Sequence, residues 1–227
     1  MAINQKTNQL LTVSPDKQIK IISLVTLNPV ASYSTTRGIW SCAWDCDNDH
    51  VFYVGMDNGQ VNVYDTRLPA RNATDNHANH IAYEAFKSPV VALQHIPKKK
   101  SNASDFDRHG VLVGCLSGKC VFFEEGTICE EEITVKRQRG EISEHELEGS
   151  PRILHWKPYP LALEGNLTSL KVNPDTSEFL ATFRPGMKHA SVRHVYGRLG
   201  ISPYNSAYIT TVNVRVREGG EEVGRGK

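Results

Sequence analysis

The chain has little of several things, and each shortage excludes a class of function. No apolar run in its 227 residues approaches the ~20 of a helical membrane span, and no signal-peptide core opens the N-terminus. The 26 Lys and Arg nearly balance the 25 Asp and Glu, so a net charge of +1 exerts no global pull toward nucleic acid or an anionic membrane. Membrane association and direct nucleic-acid binding are therefore not expected. No Gly-x-Ser-x-Gly elbow presents a nucleophile. Gly110, Gly114 and Gly118 surround a hairpin and do not open a helix as a phosphate loop does. Cys-x-x-Cys is absent, which removes the paired thiolates of a zinc-ribbon type of site. No catalytic residue, metal or cofactor is assigned to the chain. Its five cysteines are odd in number and read as reduced, buried thiols of an intracellular protein. A bridge between Cys115 and Cys120, which flank a hairpin turn, is the weaker alternative.

What the chain does have is β-strand punctuation. Trp40 to Trp44 reads as a strand whose alternation puts Trp40, Cys42, Trp44 and Cys46 on one apolar face. A turn at Asp47-Asn48-Asp49 leads into Val51 to Gly55, and Asp57-Asn58-Gly59 supplies the positive-φ residues of a tight hairpin. Gln60 to Tyr64 is the next strand, and Tyr64-Asp65 stands where WD repeats carry Trp-Asp. The pattern predicts an all-β fold built of WD-repeat propeller blades.

The signature recurs. Leu10 to Leu24 is strand, turn and strand, with Asp16 about 41 residues before Asp57, within the ~40–45 expected of one blade. A looser copy starts at Pro89 and continues through Gly110 to Phe123; a fourth runs from Leu167 to Val195. A β-sandwich does not repeat at this period. The expectation is a partial WD-repeat β-propeller over 1–200, with insertions at 95–109 and 124–150, and a disordered or mispredicted tail over 201–227. The first unit is read as lacking its opening strand and the last its closing one. About four blades of an expected ~seven leave two blade faces open. At ~25 cal/mol per Å², that forfeits on the order of 10 kcal/mol, comparable to the stability of a whole domain. Both chain ends are accordingly expected to be artefacts of a truncated reading frame.

Side chains that could carry chemistry are few. Cys42-x-x-x-Cys46 has tolerable zinc spacing but no second pair, and reads as core. His77 and His80 lie in a polar loop without thiol or acidic partners. Lys98-Lys99-Lys100 and Lys136-Arg137-Gln138-Arg139 read as solvated loops balanced by nearby glutamates, the alternatives being a nuclear localisation signal or contact with nucleic-acid phosphate. Sequons at Asn72, Asn102 and Asn166 follow no secretion signal. Arg184, Lys188, His189 and Arg193, with His194, gather around one hairpin. Propellers bind partners through loops on one face, so these four are the candidate partner-binding residues, suited to an acidic peptide.

Certain segments are less generic. Arg37 to Trp44, Gly55 to Gly59, Val63 to Arg67, His155-Trp156-Lys157-Pro158 with Leu161 and Leu163-Glu164-Gly165, and Phe179 to Arg193 together resemble the propeller of the RING finger and WD-repeat E3 ubiquitin ligases of the DNA-damage response. The resemblance covers about residues 8 to 200, fading in 124–150 and ending after Leu199. It implies a nuclear ligase acting at stalled replication forks and interstrand crosslinks on two substrates. These are replication protein A and the recombinase bound to single-stranded DNA. The propeller of that family reads substrate. Its E2 enzyme and zinc ions belong to the RING, which needs eight paired ligands that these residues do not supply. The chain alone is thus expected to have no ligase activity. A WD-repeat scaffold unrelated to ubiquitin is the alternative.

Overall fold

The computed structural model describes residues 1–67, 80–81, 86–98, 108–127, 154–187, 190–201, 209–218 and 221–223. Their strands fall in chain order into four antiparallel sheets. The first holds β1 (Ala2–Asn4), β2 (Gln9–Val13), β3 (Gln18–Ser23) and β4 (Pro29–Ser34). The second holds β5 (Ile39–Trp44), β6 (Val51–Met56), β7 (Val61–Asp65) and β8 (His80–Ile81). In the third are β9 (Val90–Ile96), β10 (Gly110–Cys115), β11 (Cys120–Thr127) and β12 (Leu154–Leu161). The fourth holds β13 (Asn166–Val172), β14 (Glu178–Arg184), β15 (Arg193–Ile201), β16 (Ile209–Glu218) and β17 (Glu221–Val223). Among the described residues there is no helix.

Each sheet is an up-and-down meander, and neighbouring sheets meet around their first strands: β1 and β2 against β5, β5 against β9, β9 against β13. Period-2 alternation makes this possible, because a strand buried on both faces can serve two neighbours at once. Leu11, Ile19 and Ile21 pack from the first sheet against Phe52, Trp44 and Met56 of the second. Tyr53, Val61 and Val63 pack from the second against Val90, Val113 and Phe123 of the third. Ile96, Phe122 and Tyr159 pack from the third against Phe179, Phe183 and Leu170 of the fourth. The end faces stay open. Ile3 (59% exposed), Leu10 and Ile22 form a cross-strand row on the far side of the first sheet, and Leu180 (48% exposed) marks that of the fourth.

Several expectations need correction. Pairing slips between Ile39 and Ser41, which oppose Met56 and Gly55, so Trp40 is the extra residue of a β-bulge. The slip breaks the alternation: Cys42 and Trp44 are buried, while Trp40 is 51% exposed and Cys46, past the strand end, is exposed. The first unit does have its opening strand, β1, and the last its closing strand, β16. Residues 209–218 therefore form a strand within the expected tail, and a boundary at 200 cuts through β15. The β-branched alternation from Ile209 to Val216 is the physical reason. The segment around His155 to Leu161 lies in β12, the outermost strand of its sheet. Pro158 and Pro160 are tolerated there because an edge strand leaves one row of backbone groups unpaired. His77, Lys99, Lys100, Lys136, Arg137 and Arg139 lie outside the described residues, as do Asn72 and Asn102.

Candidate partner-docking face

At one end of the arc, turns and connections from all four sheets touch in sequence. Thr35 donates its backbone N–H to the Lys17 carbonyl at 2.9 Å and its hydroxyl to the Arg37 carbonyl at 2.7 Å. Gly38 and Asp57 exchange bonds: Asp57 N–H to the Gly38 carbonyl at 2.9 Å, and Gly38 N–H to Asp57 Oδ2 at 3.3 Å. Ser88 donates to the Ser117 hydroxyl at 2.9 Å, and Leu116 N–H to the Pro89 carbonyl at 2.8 Å. Gly118 (φ 89°) lies against the backbone of Gly165 so closely that a Cβ would strike the Gly165 carbonyl. Glycine is thus required at 118 by both conformation and space. The result is a continuous rim whose loops hold one another in place.

The rim is basic. Lys17, Arg37, Lys87, Lys119 and Arg184 are exposed on it, against Asp16, Asp57 and Glu164. The opposite end mixes Asp45, Asp47, Asp49 and Asp175 with Lys6, Arg67 and Lys98, Lys6 pairing with Asp49 at 3.0 Å. Of the predicted partner-binding residues, Arg184 closes β14 and is exposed. Arg193, paired in register with Phe183, is half-buried. Its guanidinium lies 4.9 Å from the Phe183 ring centroid and bonds the Glu164 carbonyl, which ties down the connection into β13. Lys188 and His189 lie outside the described residues. His194 is exposed, with Nδ1 3.1 Å from the Thr182 hydroxyl.

A buried polar cluster at the other end went unread in the sequence. Asp45 Oδ1 accepts the N–H groups of Asp47 (2.8 Å) and Asn48 (2.9 Å), while Oδ2 accepts the Tyr53 hydroxyl at 2.8 Å. His95, on β9 of the next sheet, accepts the Cys46 N–H on Nδ1 at 3.0 Å and stacks on Tyr53 with ring planes 7° apart. Burial lowers the His95 pKa against the opposing pull of Asp45 and Asp47. The same burial, with Asp45 alongside, pushes the Tyr53 phenol far above its ordinary range.

Ligand atoms of Asp45, Asp47 and His95 lie within 4.8 Å of one another, a spacing that invites a cation. The tautomer argues against one. Because Nδ1 accepts a bond, the neutral ring carries its proton on Nε2, 3.6 Å from Asp45 Oδ1, and offers no lone pair there. Asp47 Oδ2 is also engaged, by the Lys98 N–H at 2.9 Å. The cluster pins two sheets together. A signal existed: Asn4, Asp45 and Asn173 each stand at or just past the end of a first strand, where their side chains cap the following turn. The cysteines fit the same structural role: burial pushes the Cys115 and Cys120 thiols up to about 12, and Cys42 upward as well.

Meanders joined around their first strands, with a basic loop rim at one end, define part of a WD-repeat β-propeller. A family model, the WD40 domain of the E3 ubiquitin-protein ligase RFWD3, matches residues 1–223, and the chain belongs to that family. The match extends past Leu199, where the resemblance read from sequence stopped. Human E3 ubiquitin-protein ligase RFWD3 is 30% identical over 187 residues, 82% of this chain and 20% of the human protein. The mouse protein is 29% identical over 193 residues, 85% of this chain and 21% of its own length. The chain thus spans about a fifth of these relatives. Among solved structures, Chaetomium thermophilum Raptor aligns with a TM-score of 0.53 at 12% identity, covering 97% of this chain and 15% of that one. A chain of the mitotic checkpoint complex gives 0.51 at 14% identity, covering 92% and 49%. At such identities the likeness speaks for the fold alone.

Proposed function

We propose that this chain is the substrate-recognition region of a RING-type E3 ubiquitin ligase that works in DNA repair. Its setting is the nucleus, at stalled replication forks and interstrand crosslinks. Its partners on this reading are replication protein A and the recombinase bound to single-stranded DNA. The E2 enzyme and zinc are engaged by the RING of the family and not by these residues. Membership of the RFWD3 WD40 family along residues 1–223 carries the proposal. The basic rim supports it, because substrate readers of this architecture dock partners on one loop face. On this reading Arg184, Lys188, His189 and Arg193 contribute cations to that face, with Arg193 also bracing the Glu164 connection.

The test places Arg184→Glu and Lys188→Glu together in a full-length ligase carrying this region. Capture of replication protein A and its ubiquitination are expected to fall together, while E2 discharge to free lysine is unchanged. Undiminished capture would remove the docking assignment.

A further inference from the structure

We propose that the loop end of the arc takes an acidic peptide segment whose apolar side chain seats on Trp40, with Lys17 and Arg37 meeting its carboxylates. The inference rests on reading this end as the docking face, and it names the anchor and the partner's chemistry. Trp40 is the residue that the bulge between Ile39 and Ser41 releases from pairing with β6. It stands at the loop end of β5, two residues past the Gly38–Asp57 contact, and is 51% exposed. Trp44 on the same strand shows the ordinary alternative: it is 6% exposed and donates its indole N–H to the Ala2 carbonyl at 3.2 Å. An indole left half in water by a dedicated backbone irregularity is what an interface anchor looks like before its partner arrives. Met187, fully exposed, adds apolar surface in the β14–β15 connection at the same end.

The surrounding charge selects the partner. Among the described residues Lys17, Lys87 and Arg184 make no ion pair, and Arg37 reaches Asp57 only at 4.0 Å. Lys17 and Arg37, on the loops that meet just before β5, favour carboxylates flanking an apolar residue seated on Trp40. The interspersed Asp16, Asp57 and Glu164 disfavour a continuous phosphate backbone. The bonds of Thr35 and Gly38 hold the flanking loop before binding, so little order is lost on docking.

The experiment uses the 227-residue chain and 12-residue peptides of Asp and Glu around a central Phe, Trp or Leu. Binding is followed by anisotropy of a labelled peptide, and docking by acrylamide quenching of tryptophan, to which exposed Trp40 contributes most. At least one peptide is expected to bind saturably and to shield the quenchable indole. Trp40→Ala is expected to weaken it roughly thirtyfold or more, as for a hot-spot aromatic. Replacing the central apolar residue by Ser should produce the same loss, and Lys17→Glu with Arg37→Glu a loss that high salt mimics. An unchanged melting temperature for Trp40→Ala separates lost contact from lost folding. If no peptide binds, if Trp40→Ala binds like the parent, or if oligo(dT) of equal length binds more tightly, the proposal is overturned. If Arg184→Glu with Lys188→Glu lowers capture while Trp40→Ala does not, the docking face stands and the Trp40 assignment fails.

Discussion

Tyr53→Phe removes one atom from the pin between the second and third sheets, and its cost follows from the geometry. The hydroxyl donates to Asp45 Oδ2 at 2.8 Å, Tyr53 is fully buried, and the Asp45 side chain is 8% exposed. The ring of Phe would keep the stack on His95 (centroids 5.8 Å apart) and the edge contact to Trp156. What is lost is a hydrogen bond to a charged group, worth about 1.5–3 kcal/mol, with water unable to reach the vacated oxygen readily. For a chain of this size, each kcal/mol moves the midpoint by about 2–4 °C, so melting should fall by about 3–12 °C. Circular dichroism at pH 7, with urea titration in parallel, measures it. Tyr33→Phe is the control: that ring also packs on Phe52, its hydroxyl makes no hydrogen bond among the described residues, and the expected change is under about 0.5 kcal/mol. A Tyr53→Phe loss no larger than the control's would refute the account of the cluster as a structural pin.

Two more expectations concern ionisation. His95 is buried with its pKa lowered, beside Asp45, Asp47 and more remotely His109, so the unfolded chain takes up the proton first as pH falls. The stability supplied by neutral His95 is therefore complete above the unfolded-state value near 6.5 and is lost as pH drops through it toward the folded value. Urea midpoints between pH 8 and pH 5 should fall, and His95→Gln should flatten that slope; an unchanged slope would sink the idea. Cys46 is exposed whereas Cys42, Cys115 and Cys120 are buried, the last two with thiols raised to about 12. Among these four, a maleimide applied to the folded chain at pH 7.5 should label Cys46 first, the others reacting only on unfolding. Mass mapping that finds Cys120 labelled as early as Cys46 would contradict the buried assignment.

The amino-acid sequence by itself determined the repeat. The short apolar run from Val51 to Gly55 and turn chemistry at Asp57-Asn58-Gly59 are local, so they place strands and hairpins without reference to the rest of the chain. The same locality explains the legible core: Leu11, Ile19, Phe52 and Phe179 are apolar at the right period and are buried. Tertiary structure decided what depends on a neighbouring sheet. Pro158 and Pro160 fit a strand only because β12 is the outermost of its sheet. Asp45 and His95 are far apart in the chain, and only the approach of β5 to β9 turns them into a pin. Arg193 is a partner-binding candidate in the sequence, and folding sets it over Phe183 and against Glu164. Trp40 is the sharpest case. Periodicity assigned it to the core with Trp44, and one extra residue opposite Gly55 turned it out toward solvent. A bulge adds a single residue to a register that side-chain alternation otherwise fixes, and no local pattern in the strand announces where it falls.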